Sequence, residues 1–139
     1  MKSMYTAAAT ATGGRNGQIK SDNGVLDLEV RAPKAMGGAN DDYTNPEQLF
    51  AAGYASCFLS AMLVVAGKLH VHLDTKTTVT AHVDLNMLES GAYGLAVKLD
   101  IDLMDFDKDE GKKLVEEAHR ICPYSIGTRG NIDVKLNVV

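Results

Sequence analysis

Hydrophobic and polar residues alternate along several stretches of the chain, which is the pattern of half-buried β-strands. The three clearest stretches are Thr75 to Leu88, Leu95 to Met104 and Ile132 to Val138. The first two are separated by the turn residues Ser90 and Gly91, so they predict an antiparallel hairpin. Shorter strands are expected over Tyr5 to Thr12 and over Val25 to Val30.

The segment from Glu47 to about Leu69 predicts a long helix, because it is rich in Ala, Leu and Met and carries almost no charge. Asn45 is placed to cap it, and Pro46 suits its first position. Gln48 can complete a capping box with Asn45. A helix with so little polar surface is buried on most sides, so a sheet or another chain must cover it.

A second helix is expected from Lys108 to Ile121, where apolar residues recur at helical spacing and Lys and Glu occupy the outer face. Pro123 follows and is expected to stop it. Antiparallel strands combined with these helices, without a repeated strand–helix–strand order, predict an α+β fold. The 139 residues suit a single domain over positions 1–139.

Composition narrows the class of protein. Hydrophobic residues make up 45% and charged residues 23%, as in a globular protein. A net charge of -4 with scattered basic residues argues against nucleic acid as a partner. The longest apolar stretch, around Phe58 to Gly67, is interrupted by Ser60 and is too short to suggest a membrane span. The N-terminus lacks the apolar centre of a signal peptide, so we expect a cytoplasmic protein.

The two cysteines are too few for a disulfide scaffold, so packing or chemistry must explain each thiol. Cys57 lies inside the apolar helix, where a free cysteine is either a small buried hydrophobe or a nucleophile. Cys122 ends the second helix, a less favourable place for a core residue. The negative end of a helix dipole disfavours a thiolate there. Cys122 is therefore the poorer attacking thiol and the better resolving partner.

An attacking cysteine needs a lowered pKa, which requires a nearby cation or hydrogen-bond donors. The candidate cations are the arginines Arg15, Arg31, Arg120 and Arg129. Arg15 is flanked by glycines, and a tight turn can aim a long side chain into a site; the alternative is an exposed turn arginine. Glu47, in the first turn of the long helix, has an equally ordinary role in complementing the helix dipole.

A metal site is the main rival use of cysteine and histidine. The chain has four histidines, but no Cys-x-x-Cys or His-Glu-x-x-His spacing, so no metal site is expected. A cysteine–histidine hydrolase fits the composition, yet nothing in the sequence identifies an orienting third group or an oxyanion hole.

Three motifs resemble those of the organic hydroperoxide resistance (Ohr) proteins of the Ohr/OsmC superfamily. They are the turn from Gly13 to Gly17, the block from Thr44 to Phe58, and the segment from Cys122 to Ser125. The resemblance covers the whole chain, and it is closer to the Ohr branch than to the OsmC branch. Ile126 and Gly127 depart from the Asn-Ala more often found there, which affects the expected loop shape but neither thiol.

The resemblance implies an OsmC-like fold, with antiparallel sheets around a buried central helix, in an intertwined homodimer with sites at the subunit interface. It implies a thiol peroxidase without haem, flavin or metal. Cys57 would attack the peroxide and Cys122 would resolve the product as a disulfide. Arg15 would stabilise the Cys57 thiolate, and Glu47 would hold Arg15 in position. Substrates would be organic hydroperoxides, including fatty-acid ones, and electrons would come from dihydrolipoyl groups on lipoylated proteins.

The residues add three expectations. An apolar surround of Phe50, Phe58 and Met62 suits an alkyl hydroperoxide. Ten helical residues span about 15 Å, so Glu47 and Cys57 cannot share a site on one straight helix. Either the chain bends near Gly53 or two subunits combine, and an obligate dimer is predicted. Two alternatives are an OsmC-type osmotically inducible peroxidase and a non-catalytic stress protein on the same fold, with Cys57 as a core residue.

Overall fold

The computed structural model describes all 139 residues, Met1 to Val139. They form two compact units, Met1–Leu49 and Phe50–Val139. The single domain over positions 1–139 stays a prediction.

The first unit contains a three-stranded antiparallel sheet in the order β1-β2-β3. Its strands are β1 (Ala9–Thr12), β2 (Gly17–Ser21) and β3 (Asp27–Val30). The sequence predicted β1 and β3 with extra residues at their starts, but not β2. In β2 Ile19 stands alone between polar neighbours, so no hydrophobic alternation marks the strand.

Helix α1 begins at Pro46 and ends at Lys68. The Gln48 backbone N–H donates to Asn45 Oδ1 at 2.8 Å, which confirms the predicted cap. The helix is unbroken at Gly53. By length and composition α1 could cross a membrane, although the core helix of a globular protein has the same properties.

One face of α1 is buried and the other is not. The buried residues are Tyr54, Phe58, Ala61, Met62, Val65 and Ala66. Leu63 and Val64, between them along the helix, are each more than half exposed. Within this chain the helix is therefore covered on one side only, and an apolar strip remains uncovered.

The second unit contains a sheet in the order β4-β5-β6, with β4 (Thr78–Met87), β5 (Tyr93–Asp102) and β6 (Asp133–Val138). Strands β4 and β5 form the predicted antiparallel hairpin. Strand β6 instead pairs in parallel with β5, which differs from the antiparallel arrangement expected. Parallel neighbours need a crossover. Here helices α2 (Lys108–Ile121) and α3 (Pro123–Thr128) provide it, so one strand–helix–strand unit is present in the α+β fold.

Helix α2 has the predicted bounds, whereas α3 was not predicted. Pro123 ends α2 as expected but also begins α3, because proline is tolerated at the first position of a helix. The buried residues of α1, β5 and α2 form one hydrophobic cluster that includes Cys122. Cys122, between α2 and α3, is therefore a core residue.

Candidate active site

The two thiols lie close together. Cys57 is in the middle of α1, and Cys122 both ends α2 and precedes α3. Their Sγ atoms are 3.6 Å apart and are not bonded as a disulfide. Cys57 is partly exposed, whereas Cys122 is fully buried. The expectation that Cys122 lies outside the core was wrong, because the thiol at this helix boundary is fully buried; its role as resolving partner stays a prediction.

The environment raises the pKa of the Cys57 thiol. Burial is the main cause, because a thiolate loses hydration there, and the neighbouring Cys122 adds to the increase. A backbone hydrogen bond from Tyr124 acts in the opposite direction and lowers the pKa. None of these groups carries a positive charge. A nucleophilic Cys57 therefore needs a cation in addition to them.

Arg15 and Glu47 form a bidentate ion pair in the first unit. Arg15 Nη1 and Nη2 donate to the Glu47 carboxylate at 2.8 and 2.6 Å. The hydrogen bond from Arg15 lowers the pKa of Glu47, and the same bond raises the pKa of Arg15. Both groups are therefore charged at neutral pH. The two parallel hydrogen bonds hold the guanidinium in one orientation.

The turn between β1 and β2 presents Arg15. Gly13 and Gly14 have positive φ values of 73° and 60°, which favour glycine. A Cβ on Gly17 would lie 1.7 Å from the Thr12 carbonyl oxygen, so no other residue fits there. The glycines recognised in the sequence thus have a steric reason.

Arg31 holds together the two segments that carry this ion pair. Its Nη1 donates to the carbonyl oxygens of Gly17 at 2.9 Å and Val30 at 2.7 Å. Its guanidinium lies 5.0 Å from the centre of the Tyr43 ring, just before α1. The sequence named Arg31 only as a candidate cation, because nothing local indicates that it binds a turn 14 residues away.

The other two candidate arginines have different partners. Arg120 pairs with Glu117 on the exposed side of α2. Arg129 donates to the His119 carbonyl oxygen at 2.8 Å. Neither is among the groups that act on the pKa of Cys57.

A buried polar network lies beside the thiols, and sequence reasoning missed it. Tyr54 Oη and Ser125 Oγ are 2.8 Å apart, and His119 Nδ1 is 2.9 Å from the same Ser125 oxygen. Thr128 Oγ1 donates to the Tyr124 carbonyl oxygen at 2.9 Å. Burial lowers the pKa of His119, and the charge of Arg129 lowers it further, which favours the neutral imidazole.

Aromatic rings pack around the same part of α1. The Tyr124 ring centroid lies 5.9 Å from that of Phe50 and 5.6 Å from that of Tyr54. A Cβ on Gly53 would meet Tyr124 Oη at 2.7 Å, so glycine leaves the room that this ring occupies. The bend considered at Gly53 does not break the helix; the residue permits close packing instead.

The three predicted substrate contacts differ in exposure. Phe50 is partly buried, whereas Phe58 and Met62 are fully buried in the core. Their contact with substrate stays a prediction. No group of three or more His, Cys, Asp or Glu side chains is arranged to hold a metal ion.

Comparisons with known proteins agree with the resemblance noted in the sequence. The family described as OsmC-like protein matches residues 38–137. An organic hydroperoxide resistance protein of Xanthomonas axonopodis pv. citri is 47% identical over 137 residues, which cover 99% of this chain and 96% of that protein. The protein OhrB of Bacillus subtilis, also named an organic hydroperoxide resistance protein, is 44% identical over 136 residues, which cover 97% of this chain and 98% of that protein.

Solved structures have the same fold. The crystal structure of an organic hydroperoxide resistance protein from Elizabethkingia anophelis superposes with a TM-score of 0.93 at 55% identity, covering 99% of this chain and 98% of that one. The crystal structure of OhrB from Bacillus subtilis gives a TM-score of 0.90 at 44% identity, covering 99% of this chain and 100% of that one.

Proposed function

This chain belongs to the organic hydroperoxide resistance group of the OsmC-like family, and we propose that it is a thiol peroxidase that reduces organic hydroperoxides to alcohols. The names of its relatives support a role in organic hydroperoxide resistance. The observation that carries the chemistry is the pair of sulfurs 3.6 Å apart, one partly exposed and one buried. This arrangement suits an attacking thiol with a resolving thiol behind it.

In the first step the Cys57 thiolate attacks the distal oxygen of the hydroperoxide. A sulfur–oxygen bond forms and the oxygen–oxygen bond breaks, so Cys57 is oxidised to a sulfenic acid. The alkoxide leaves and takes up a proton to become the alcohol. Partial exposure of Cys57 supports this role, because the peroxide must reach its sulfur.

In the second step the Cys122 sulfur attacks the Cys57 sulfenic acid. A sulfur–sulfur bond forms, and the hydroxyl group leaves as water with the Cys122 proton. The sulfurs must approach from 3.6 Å to about 2.05 Å, a movement within the reach of side-chain rotation. A dithiol then reduces the disulfide by exchange. We propose a dihydrolipoyl group on a lipoylated protein as this reductant.

Arg15 is the proposed source of the positive charge. It would keep Cys57 ionised and offset the charge that develops on the leaving oxygen. Glu47 would act as its positioning residue, because its carboxylate binds both terminal nitrogens of the guanidinium. The raised pKa of Cys57 supports the need for such a cation.

The working form is proposed to be a homodimer. Glu47 and Cys57 are ten residues apart on one unbroken helix, a rise of about 15 Å. The exposed Leu63 and Val64 on α1 are suited to burial against a second copy. We therefore propose that the Arg15–Glu47 pair of one copy serves Cys57 of the partner. A monomeric mass at micromolar concentration would contradict this arrangement.

The proposed substrate is an alkyl or fatty-acid hydroperoxide. The rings of Phe50 on α1 and Tyr124 on α3 have centroids 5.9 Å apart, and such aromatic surface favours an alkyl group over hydrogen peroxide. Phe58 and Met62 would contribute from the core behind them.

Because each step uses sulfur chemistry alone, no metal or organic cofactor is required. We place the protein in the cytoplasm, where the disulfide can be returned to thiols, with no membrane or nucleic-acid partner.

Intact mass after one equivalent of cumene hydroperoxide tests the proposal. We expect the protein to lose two hydrogens, Cys57→Ser to remain unchanged, and Cys122→Ser to gain one oxygen. An unchanged mass of the unmodified chain would instead support the non-catalytic stress protein. Turnover with dihydrolipoamide, thioredoxin or glutathione identifies the reductant. Equal efficiency with hydrogen peroxide and cumene hydroperoxide would count against the alkyl specificity and favour the OsmC-type alternative.

A further inference from the structure

A hydrogen bond runs alongside the two sulfurs and connects the same two helices. Tyr54 lies one turn before Cys57 on α1, and Ser125 lies one turn after Cys122 on α3. Tyr54 Oη and Ser125 Oγ are 2.8 Å apart, and the two sulfurs are 3.6 Å apart. Any movement that separates α3 from α1 at the thiols must therefore also break this hydroxyl contact.

The contact lies in the protein interior and has a second partner. Tyr54 and Ser125 are fully buried, so water does not compete for the bond. His119 Nδ1, on α2, lies 2.9 Å from the same Ser125 oxygen. One hydroxyl thus joins three helices. Helix α3 has only six residues and is too short to be stable alone, so such contacts determine where it lies.

We propose that Tyr54, Ser125 and His119, together the hydroxyl brace, are positioning residues for disulfide formation. The brace holds α3 so that the Cys122 sulfur stays against Cys57. This inference rests on the proposed function only for its biological purpose; the closure of the two thiols can be measured by itself. The brace touches no reacting atom and acts through the position of Cys122.

The brace has a chemical consequence during peroxide reduction. With the brace intact, Cys122 attacks the sulfenic acid at once and releases water. With it weakened, the sulfenic acid persists and meets a second hydroperoxide. That hydroperoxide transfers one oxygen to the sulfur, which becomes a sulfinic acid, and leaves as an alcohol. The brace therefore protects Cys57 from irreversible oxidation.

Closure is measured with the aromatic disulfide dithiobis(nitrobenzoate). The partly exposed Cys57 attacks it and releases one coloured thiolate; Cys122 then attacks the mixed disulfide and releases the second. The test variants are Tyr54→Phe and Ser125→Ala. The controls are Tyr93→Phe, which removes an exposed tyrosine hydroxyl, and Ile101→Val, which shortens a buried side chain in the sheet. Far-UV circular dichroism shows which variants are folded.

We expect the second release to be about two- to tenfold slower in both test variants, the range that corresponds to one buried hydrogen bond. The controls are expected to match the unmodified protein. Equal second-phase rates in folded test and control proteins would overturn the brace, as would the absence of a second release from the unmodified protein.

Oxidation by excess cumene hydroperoxide without reductant separates this proposal from the function itself. We expect the test variants to gain two oxygens at peroxide levels where the unmodified protein mainly loses two hydrogens. If the peroxide oxidises no protein while the aromatic disulfide still reveals slower closure in the test variants, the peroxidase proposal fails and the brace stands.

Discussion

Replacing Arg15 with Met removes the guanidinium that the proposed chemistry requires and keeps much of its apolar length. Burial already raises the pKa of Cys57. An ordinary cysteine, with a pKa of about 8.5, is only about 3% ionised at pH 7. A positive charge beside the sulfur favours the thiolate and so increases the ionised fraction. We therefore expect Arg15→Met to raise the pKa of Cys57 and to slow its reaction with hydroperoxide at pH 7 by about tenfold or more, because a smaller fraction of the thiol is ionised.

The pH dependence of alkylation by iodoacetamide measures this pKa. A Cys122→Ala background leaves Cys57 as the only thiol, and intact mass follows the reaction. Arg120→Met is the matched control, because Arg120 lies on the exposed side of α2 and pairs with Glu117. Arg15→Lys is expected to recover part of the effect, since it keeps the charge but not the two-pronged contact.

Two results would refute the reasoning. The first is a Cys57 alkylation profile in Arg15→Met that coincides with that of Arg120→Met. The second is a Cys57 pKa that is the same in Arg15→Met as with Arg15 present, accompanied by a large loss of peroxidase activity. That result would assign Arg15 to peroxide binding alone.

Three further predictions concern stability and closure. Glu47→Gln is expected to lower the free energy of unfolding in urea by about 1 kcal/mol at pH 7, a value reduced for the partial exposure of Arg15. Because folding lowers the pKa of Glu47, this stabilisation is present above the unfolded pKa and is lost as pH falls through the lower folded pKa, so the two proteins converge only at acidic pH below it. Gly53→Ala is expected to slow disulfide closure by displacing the Tyr124 ring, yet to change stability by less than about 1 kcal/mol because alanine favours the helix; unchanged closure kinetics would contradict this. Leu99→Ala, at a fully buried position, is expected to cost about 2–5 kcal/mol in the same urea experiment, and a loss below about 1 kcal/mol would disagree.

The elements predicted well from the sequence are those whose patterns are local. The β4–β5 hairpin alternates over ten residues on each strand, and α2 repeats its apolar positions through four turns. Strand β2 was missed because its pairing with β1 and β3 supplies what its own pattern lacks. Helix α3 was missed because Pro123 has the same local signal whether it ends one helix or begins the next.

In the candidate site, too, local patterns identified some features and missed those that depend on packing between distant segments. The local pattern left Cys57 open between core residue and nucleophile, and it assigned Cys122 the wrong environment. The resemblance named both thiols together with Arg15 and Glu47, and these four residues form two contacts in the structure, the sulfur pair and the ion pair. Their catalytic roles stay predictions.

The sequence by itself determined the secondary structure with regular periodicity, the capped start of α1, the family and the residues with reactive side chains. Only the tertiary structure decided which partners those side chains have. The Tyr54–Ser125 contact joins residues 71 positions apart, and the two sulfurs are separated by 65. A local pattern carries information over one or two turns of helix or a few residues of strand, whereas such pairs depend on how every intervening element packs. Burial, and the pKa of Cys57 with it, follows from that packing and from no single segment.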